Sequence, residues 1–534
     1  MDRVLTRGWS VPTPRGDLRV ERGIAVTMRD GVALLTDHYL PTGTQGRGTI
    51  LVRTPYGRGL PIAADARLFA GQGYHVVVQS LRGTFGSGGE LLPLVTDTDD
   101  ARDTIAWLRE QPWFDGRLAT YGASYVGATQ WTMLIDPPPE LRASVIVAGP
   151  HDASGFILGT GALLFNDMFT WSRVVLNQER RAGLLRAFWI FSRSAKLNAP
   201  VVSALPFGDA ADKALAHRAP WLREWLSHPD RDDTFWQPRN ASVGLEKTTV
   251  PTRLICGWQD LVLSQTLRQY EVLRKRGIDV TLTIGPWIHQ HTVSSAGASL
   301  VEGNLDWLAE HLAGEPVQRK HQPVRIQVTG VDEWREFPEW PPPSTALVHY
   351  LQPGGRLGRQ RALTSTSSFR YDPADPTPSV GGPLIDMDAG VHDNRALETR
   401  PDVLTFTTPP LTEALEIIGV PVVELSHTAN NAHADVFVRL CDVDAKGTSR
   451  NFSEAFMRLA PGVHDGMLQL ELDACAHRLA PGHRLRLLVA GGAHPRYMRN
   501  EGTGAMPGTG TVLLPCRHTI RLGEISRVVL PVVQ

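Results

Sequence analysis

Four cysteines in 534 residues, Cys256, Cys441, Cys475 and Cys516, stand far apart and never at Cys-x-x-Cys spacing. That excludes a zinc knuckle or a disulfide framework and leaves them as reduced core thiols. Charge of one sign is equally scarce: 54 Lys and Arg against 55 Asp and Glu leave a net charge of −1. No window concentrates Lys and Arg, so neither nucleic acid nor an anionic membrane is an expected partner. No run reaches the roughly eighteen unbroken apolar residues of a transmembrane helix. The first 23 residues are polar, with Arg, Pro and Gly, and lack the apolar centre of a secretory signal. The expected location is the cytoplasm, and the expected partner a small molecule.

The length is too great for one core and points to about three domains. Near the start, Arg29-Asp30-Gly31 separates the alternating runs 24–27 and 32–39, a hairpin signal. Short apolar strands at 49–53, 74–79, 143–148, 252–256 and 280–284 alternate with helices at 62–71, 97–110, 264–276 and 304–313. This is the pattern of a doubly wound parallel α/β sheet. Residues 149–248 interrupt it with aromatic and apolar residues at helical spacing, so they read as an inserted helical cap. After 316 the chain turns to many short strands separated by Pro and Gly, the pattern of a jelly roll or sandwich. The expected fold class is α/β, with an α/β-hydrolase domain over 1–148 and 249–315, a helical cap over 149–248, and an all-β jelly roll over 316–534.

Gly122-Ala123-Ser124-Tyr125-Val126-Gly127 directly follows a β-like run. The second glycine comes one residue later than in Gly-x-Ser-x-Gly, yet the small residues still permit a tight strand-to-helix turn that lifts the Ser124 hydroxyl above a sheet. Tyr125 then offers a backbone N–H at a helix start, where negative charge is stabilised. A serine needs a base, an orienting carboxylate and oxyanion donors. In α/β-hydrolases the order is Ser, then Asp or Glu, then His, each after a strand. Asp260 follows 252–256 through Gly257-Trp258-Gln259, and His289 follows 280–284 through Gly285-Pro286-Trp287-Ile288. His291 lies further from its strand and reads as a surface or supporting group. A second oxyanion donor is expected from 53–58, where the residues alone leave Tyr56 between packing and donating its O–H.

Together Arg53-Thr54-Pro55-Tyr56-Gly57-Arg58, the stretch 82–88, Gln111 to Gly116, the Ser124 motif, Gly257-Trp258-Gln259-Asp260 and Gly285 to His289 resemble the CocE/NonD hydrolase family. That family includes bacterial cocaine esterase and relatives of X-Pro dipeptidyl-peptidase; similarity continues through 482–487 and 494–504. The resemblance implies the three-part architecture above, nucleophile Ser124, acid Asp260, base His289, and an oxyanion hole from the Tyr56 hydroxyl and the Tyr125 N–H. Two departures stand out. Ser80 occupies the place of a frequent Asp, so a carboxylate for Arg82 must come from elsewhere. Relatives acting on α-amino-acid esters carry acidic residues after the triad aspartate, whereas Leu261, Val262 and Leu263 follow Asp260 here. An apolar wall cannot anchor an ammonium group.

The expected activity is therefore serine hydrolysis of a carboxylic ester with a neutral, apolar acyl group, with no cofactor and no metal. Amide hydrolysis, as an acylase or X-Pro dipeptidyl-peptidase, and acyl transfer would use the same triad. A catalytically inert binding protein is the rival from another class, disfavoured by the intact Ser124, Asp260 and His289. Phe165, Phe169 and Trp171, early in the cap, are expected to touch substrate. The jelly roll is expected to shape the site or to form a contact in a homo-oligomer. The Gly83 to Gly89 stretch lacks the Gly-Lys-Ser/Thr ending of a phosphate loop, and Asp97, Asp99, Asp100 and Asp103 read as helix-start acids.

Overall fold

The computed structural model describes residues 13–42, 46–180, 182–294, 296–317, 321–462 and 464–533. Most of the N-terminal stretch read above as lacking a signal, residues 1–12, lies outside them.

Ten strands form one mixed sheet: β1 (Asp17–Thr27), β2 (Ala33–Thr42), β3 (Thr49–Thr54), β4 (His75–Ser80), β5 (Leu118–Ala123), β6 (Leu141–Val147), β7 (Thr252–Gln259), β8 (Val280–Ile288), β9 (Val324–Val328) and β10 (Glu333–Phe337). Their spatial order is β1-β2-β4-β3-β5-β6-β7-β8-β9-β10. The hairpin at Asp30-Gly31 forms with Thr27 opposite Ala33. From β4 to β9 the strands run parallel. Their near-continuous apolar sequences follow from burial on both faces.

Helices α1 (Ile62–Gly71), α2 (Asp97–Arg109) and α3 (Tyr125–Met133) connect these strands. Between β6 and β7 the chain is helical, opening with α4 (Ala153–Leu158), α5 (Phe165–Val175) and α6 (Gly183–Phe191). A single bridge, Asp152 to Asn240, ties the two ends of this segment. The stretch expected as one helix over 304–313 is an α-helix, Ala296–Leu308, continued by a π-helical turn, Ala309–Ala313.

The C-terminal region is β-rich, thirteen strands from Thr345–Gln352 to Arg527–Val532 joined in a second sheet. Its core is separate, built on residues such as Phe406, Val438 and Leu487. Residues 324–328, grouped in sequence with this region, instead pair in parallel with β8. The composition changes at 316, but the first sheet continues past it. A buried, alternating strand such as Val324–Val328 fits either sheet, and only pairing decides between them.

All four cysteines are buried and unpaired. Among the described residues no helix is long and apolar enough to cross a membrane.

Candidate active site

Ser124 sits between β5 and α3 at φ 58° and ψ −124°. Positive φ is costly for a side chain other than glycine and persists only where the surroundings impose it. Here its N–H donates to the Val147 carbonyl at 2.9 Å, and its own carbonyl accepts from the Gly127 and Ala128 N–H groups at 2.8 and 3.0 Å. The two glycines have distinct reasons. A Cβ on Gly122 would lie 2.2 Å from Val126 Cγ1, and one on Gly127 would lie 2.7 Å from the Gly149 Cα. The late second glycine therefore marks where α3 crosses the end of β6.

His289 opens the helix that follows β8, and Asp260 closes the turn after β7. Both are buried. His289 Nε2 lies 3.0 Å from Ser124 Oγ, and His289 Nδ1 lies 2.9 Å from Asp260 Oδ1. The Val262 N–H donates to the same Asp260 oxygen at 2.9 Å. Three residues separated by up to 165 positions are thus joined in one hydrogen-bonded line at the carboxyl edge of the sheet. His291 is exposed and outside that line.

Tyr56, in the turn after β3, receives a hydrogen bond from Trp171 Nε1 at 3.2 Å. Its hydroxyl also lies close to the Ser124 side chain and the Tyr125 backbone. Burial pushes the Tyr56 phenol up, so it stays protonated and able to donate. Its loop is held by the Tyr56 N–H on Thr54 Oγ1 at 2.9 Å and by Gln178 Nε2 on the Pro55 carbonyl at 2.7 Å. Tyr125 turns its side chain away: the hydroxyl accepts from the Leu94 N–H at 2.7 Å and donates to Asp97 Oδ2 at 3.1 Å. Burial, then the nearby Asp97, raise the Tyr125 phenol as well.

A cleft with about 650 Å³ of empty space, its mouth included, opens over Ser124 and His289. Leu261 and Val262 form part of its wall, with Met168, Trp171 and Trp225 from the helical segment. No carboxylate is among its described lining residues, and Arg239 is the one Lys or Arg among them. Of the three aromatics expected to touch substrate, Trp171 lines this cleft, whereas Phe165 and Phe169 do not. Phe165 packs edge-to-face on Phe207 at 4.1 Å and beside Phe169 at 5.3 Å. Residues four apart share a helix face, so Phe165 and Phe169 point together into the core while Met168 and Trp171 face the cleft. Ile385, from the C-terminal region, also lines the cleft. No local sequence signal marks it, because the contact is made by tertiary packing.

The carboxylates for Arg82 are Asp100, with contacts of 2.7 to 2.9 Å, and Asp30 at 2.6 Å. Asp103 likewise accepts from Arg29, through its backbone N–H at 2.8 Å and its guanidinium at 2.9 Å. Far from the cleft, Asp279, Glu310 and His311 bring one ligand atom each within 4.8 Å of one another. His311 is 3.4 Å from Asp279, an ion cluster at the amino end of β8 that nothing else marks as a metal site.

Comparison with known proteins agrees with this architecture. Residues 30–291 match the model of X-Pro dipeptidyl-peptidase (S15 family), and residues 317–526 match that of the X-Pro dipeptidyl-peptidase C-terminal non-catalytic domain. The chain is 29% identical to the cocaine esterase of Rhodococcus sp. (strain MB1 Bresler), over 97% of this chain and 99% of that one. An α-amino acid ester hydrolase superposes with a TM-score of 0.81 at 25% identity, covering 98% of each chain. An aminopeptidase from a marine sediment Thaumarchaeota archaeon shares the fold, with a TM-score of 0.80 at 24% identity and 98% coverage of each chain.

Proposed function

Because the chain belongs to the serine hydrolase family that joins S15 X-Pro dipeptidyl-peptidases with cocaine esterase, we propose that it is a carboxylesterase acting through Ser124, His289 and Asp260. The observation that carries this reading is the line of contacts at 3.0 and 2.9 Å from Ser124 Oγ through His289 to Asp260, under an apolar cleft.

In this reading His289 Nδ1–H donates to Asp260, which fixes the tautomer and leaves Nε2 free to take the Ser124 proton. Ser124 Oγ attacks the ester carbonyl. The Tyr56 O–H and the Tyr125 N–H donate to the oxyanion as it forms, with the α3 N-terminus adding its dipole. His289 then returns the proton to the departing alcohol, leaving an acyl-Ser124 ester. Water, activated by the same Nε2, attacks that ester and frees the acid. Residues 149–248 act as a cap over this site, and the C-terminal strands form a jelly roll beside it.

The acyl group is neutral and apolar. A substrate ammonium would face Leu261, Val262 and Arg239 with no anion to meet it, and a buried unpaired charge is strongly disfavoured. A panel of p-nitrophenyl acyl esters, an α-amino-acid ester and a Gly-Pro anilide tests this. The apolar esters should show the highest kcat/KM, with activity absent in Ser124→Ala. Faster turnover of the Gly-Pro anilide than of every ester would replace the esterase reading with a peptidase.

A further inference from the structure

Asp167 is a buried acid that the proposed reaction does not use. It lies in the first turn of α5 and is fully buried. Its Oδ1 accepts from the Ile385 N–H at 2.8 Å, and its Oδ2 has no partner among the described residues. Ile385 is held from the other side as well, because its carbonyl accepts from Gln290 Nε2 at 2.7 Å. Gln290 directly follows His289 in the chain. The Ile385 side chain meanwhile lines the cleft. One residue of the C-terminal region therefore touches α5, the histidine helix and the acyl cleft at once.

The loop around Ile385 is closed and anchored. Gly382 and Gly390 exchange backbone hydrogen bonds at 2.8 Å each. Asp386 accepts from Asn166 at 2.9 Å and from the Ser194 hydroxyl. Leu384 and Ala389 pack with Ile288, the residue before His289. A displacement of Ile385 would be passed to His289 rather than absorbed locally.

We propose that Asp167 is a positioning residue for His289: through Ile385 and Gln290 it fixes where the imidazole stands over Ser124. This rests on the reading of His289 as the base of Ser124. The groups that face Asp167 are Arg496 and Tyr497 from the C-terminal region, Asp386 from the Ile385 loop, and His289. Burial has the largest effect and pushes the Asp167 carboxyl up to about 7. The Ile385 N–H, Arg496 and His289 pull it down, and Asp386 pushes it up.

The test is kcat and KM on p-nitrophenyl butyrate, and the fluorophosphonate labelling rate, in wild type and four variants. Asp167→Asn keeps an oxygen for the Ile385 N–H but removes the charge. Because the Ile385 contact survives, it should hold kcat and KM within about twofold of wild type. Asp167→Ala and Gln290→Ala each cut one end of the Ile385 clamp. Each should lower kcat about tenfold with little change in KM, and the double variant should be no worse than the singles. A kcat loss in Asp167→Asn as large as in Asp167→Ala, an unchanged kcat in Gln290→Ala, or losses that multiply in the double variant would overturn the proposal. If Asp167→Ala does not fold, Asp167→Asn and Gln290→Ala decide the matter. Wild type that fails to label at Ser124 removes the reading on which the proposal rests; labelled wild type with an unchanged kcat in Gln290→Ala removes this proposal alone.

Discussion

At the scale of single residues, the proposed chemistry depends most on groups whose type and position after a strand already carried the signal. Ser124, Asp260 and His289 were legible because only a few side chains can do nucleophilic and proton-transfer work, and each lies in a loop just past an apolar strand. Tyr56 is the sharper test. It is half-buried, kept protonated, and close to both Ser124 and the Tyr125 N–H. Tyr56→Phe should lower kcat about a hundredfold while KM stays nearly constant, since an oxyanion donor acts chiefly in the transition state. Steady-state kinetics on an apolar ester would measure this, and an unchanged kcat would return Tyr56 to a packing role. Phe165 and Phe169 show where sequence reading stops. Aromatic content and position near the start of the helical segment were visible, but which helix face meets the cleft is decided by packing against Phe207 and its neighbours. Ile385 was hidden for the same reason, since it reaches Asp167 across 218 residues.

At the scale of elements, strand and helix alternation was readable through the first 310 residues because buried parallel strands and amphipathic helices have different periods. Partnerships between elements were less so. The acids at the start of α2 read as local helix-start residues, yet Asp100 anchors Arg82, Asp103 holds Arg29, and Asp97 meets the Tyr125 hydroxyl. Arg82 and Asp100 are both largely buried, with side chains 11% and 2% exposed. Removing Asp100 leaves the Arg82 guanidinium with the half-exposed Asp30 alone, which costs about 2 kcal/mol. Asp100→Ala should therefore lower stability to urea denaturation by that amount, whereas Asp99→Ala, at a side chain 57% exposed, should change it little. Equal effects of the two variants would mean that Arg82 is held by Asp30 and the backbone instead. The pair β9 and β10 makes a related point: composition located a change of character at 316, but hydrogen-bonding partners placed these strands in the first sheet.

At the scale of the whole molecule, the C-terminal region is part of how the cleft is built. Gln259 Nε2 donates to the Phe452 carbonyl at 3.2 Å, and Gln259 immediately precedes Asp260. A chain ending after Phe337 keeps the complete first sheet but loses Ile385 and the Phe452 contact. It should be inactive on apolar esters and self-associate through the uncovered surface, as size-exclusion chromatography and turnover would show. A monodisperse, fully active truncation would contradict this account of the C-terminal region. The central claim, that Ser124 is an activated nucleophile, is tested most directly by fluorophosphonate labelling with mass-spectrometric mapping of the adduct. The account predicts one adduct on Ser124 in wild type and none in Ser124→Ala. A folded wild-type protein that takes no label at Ser124, or takes it at another serine, would contradict it.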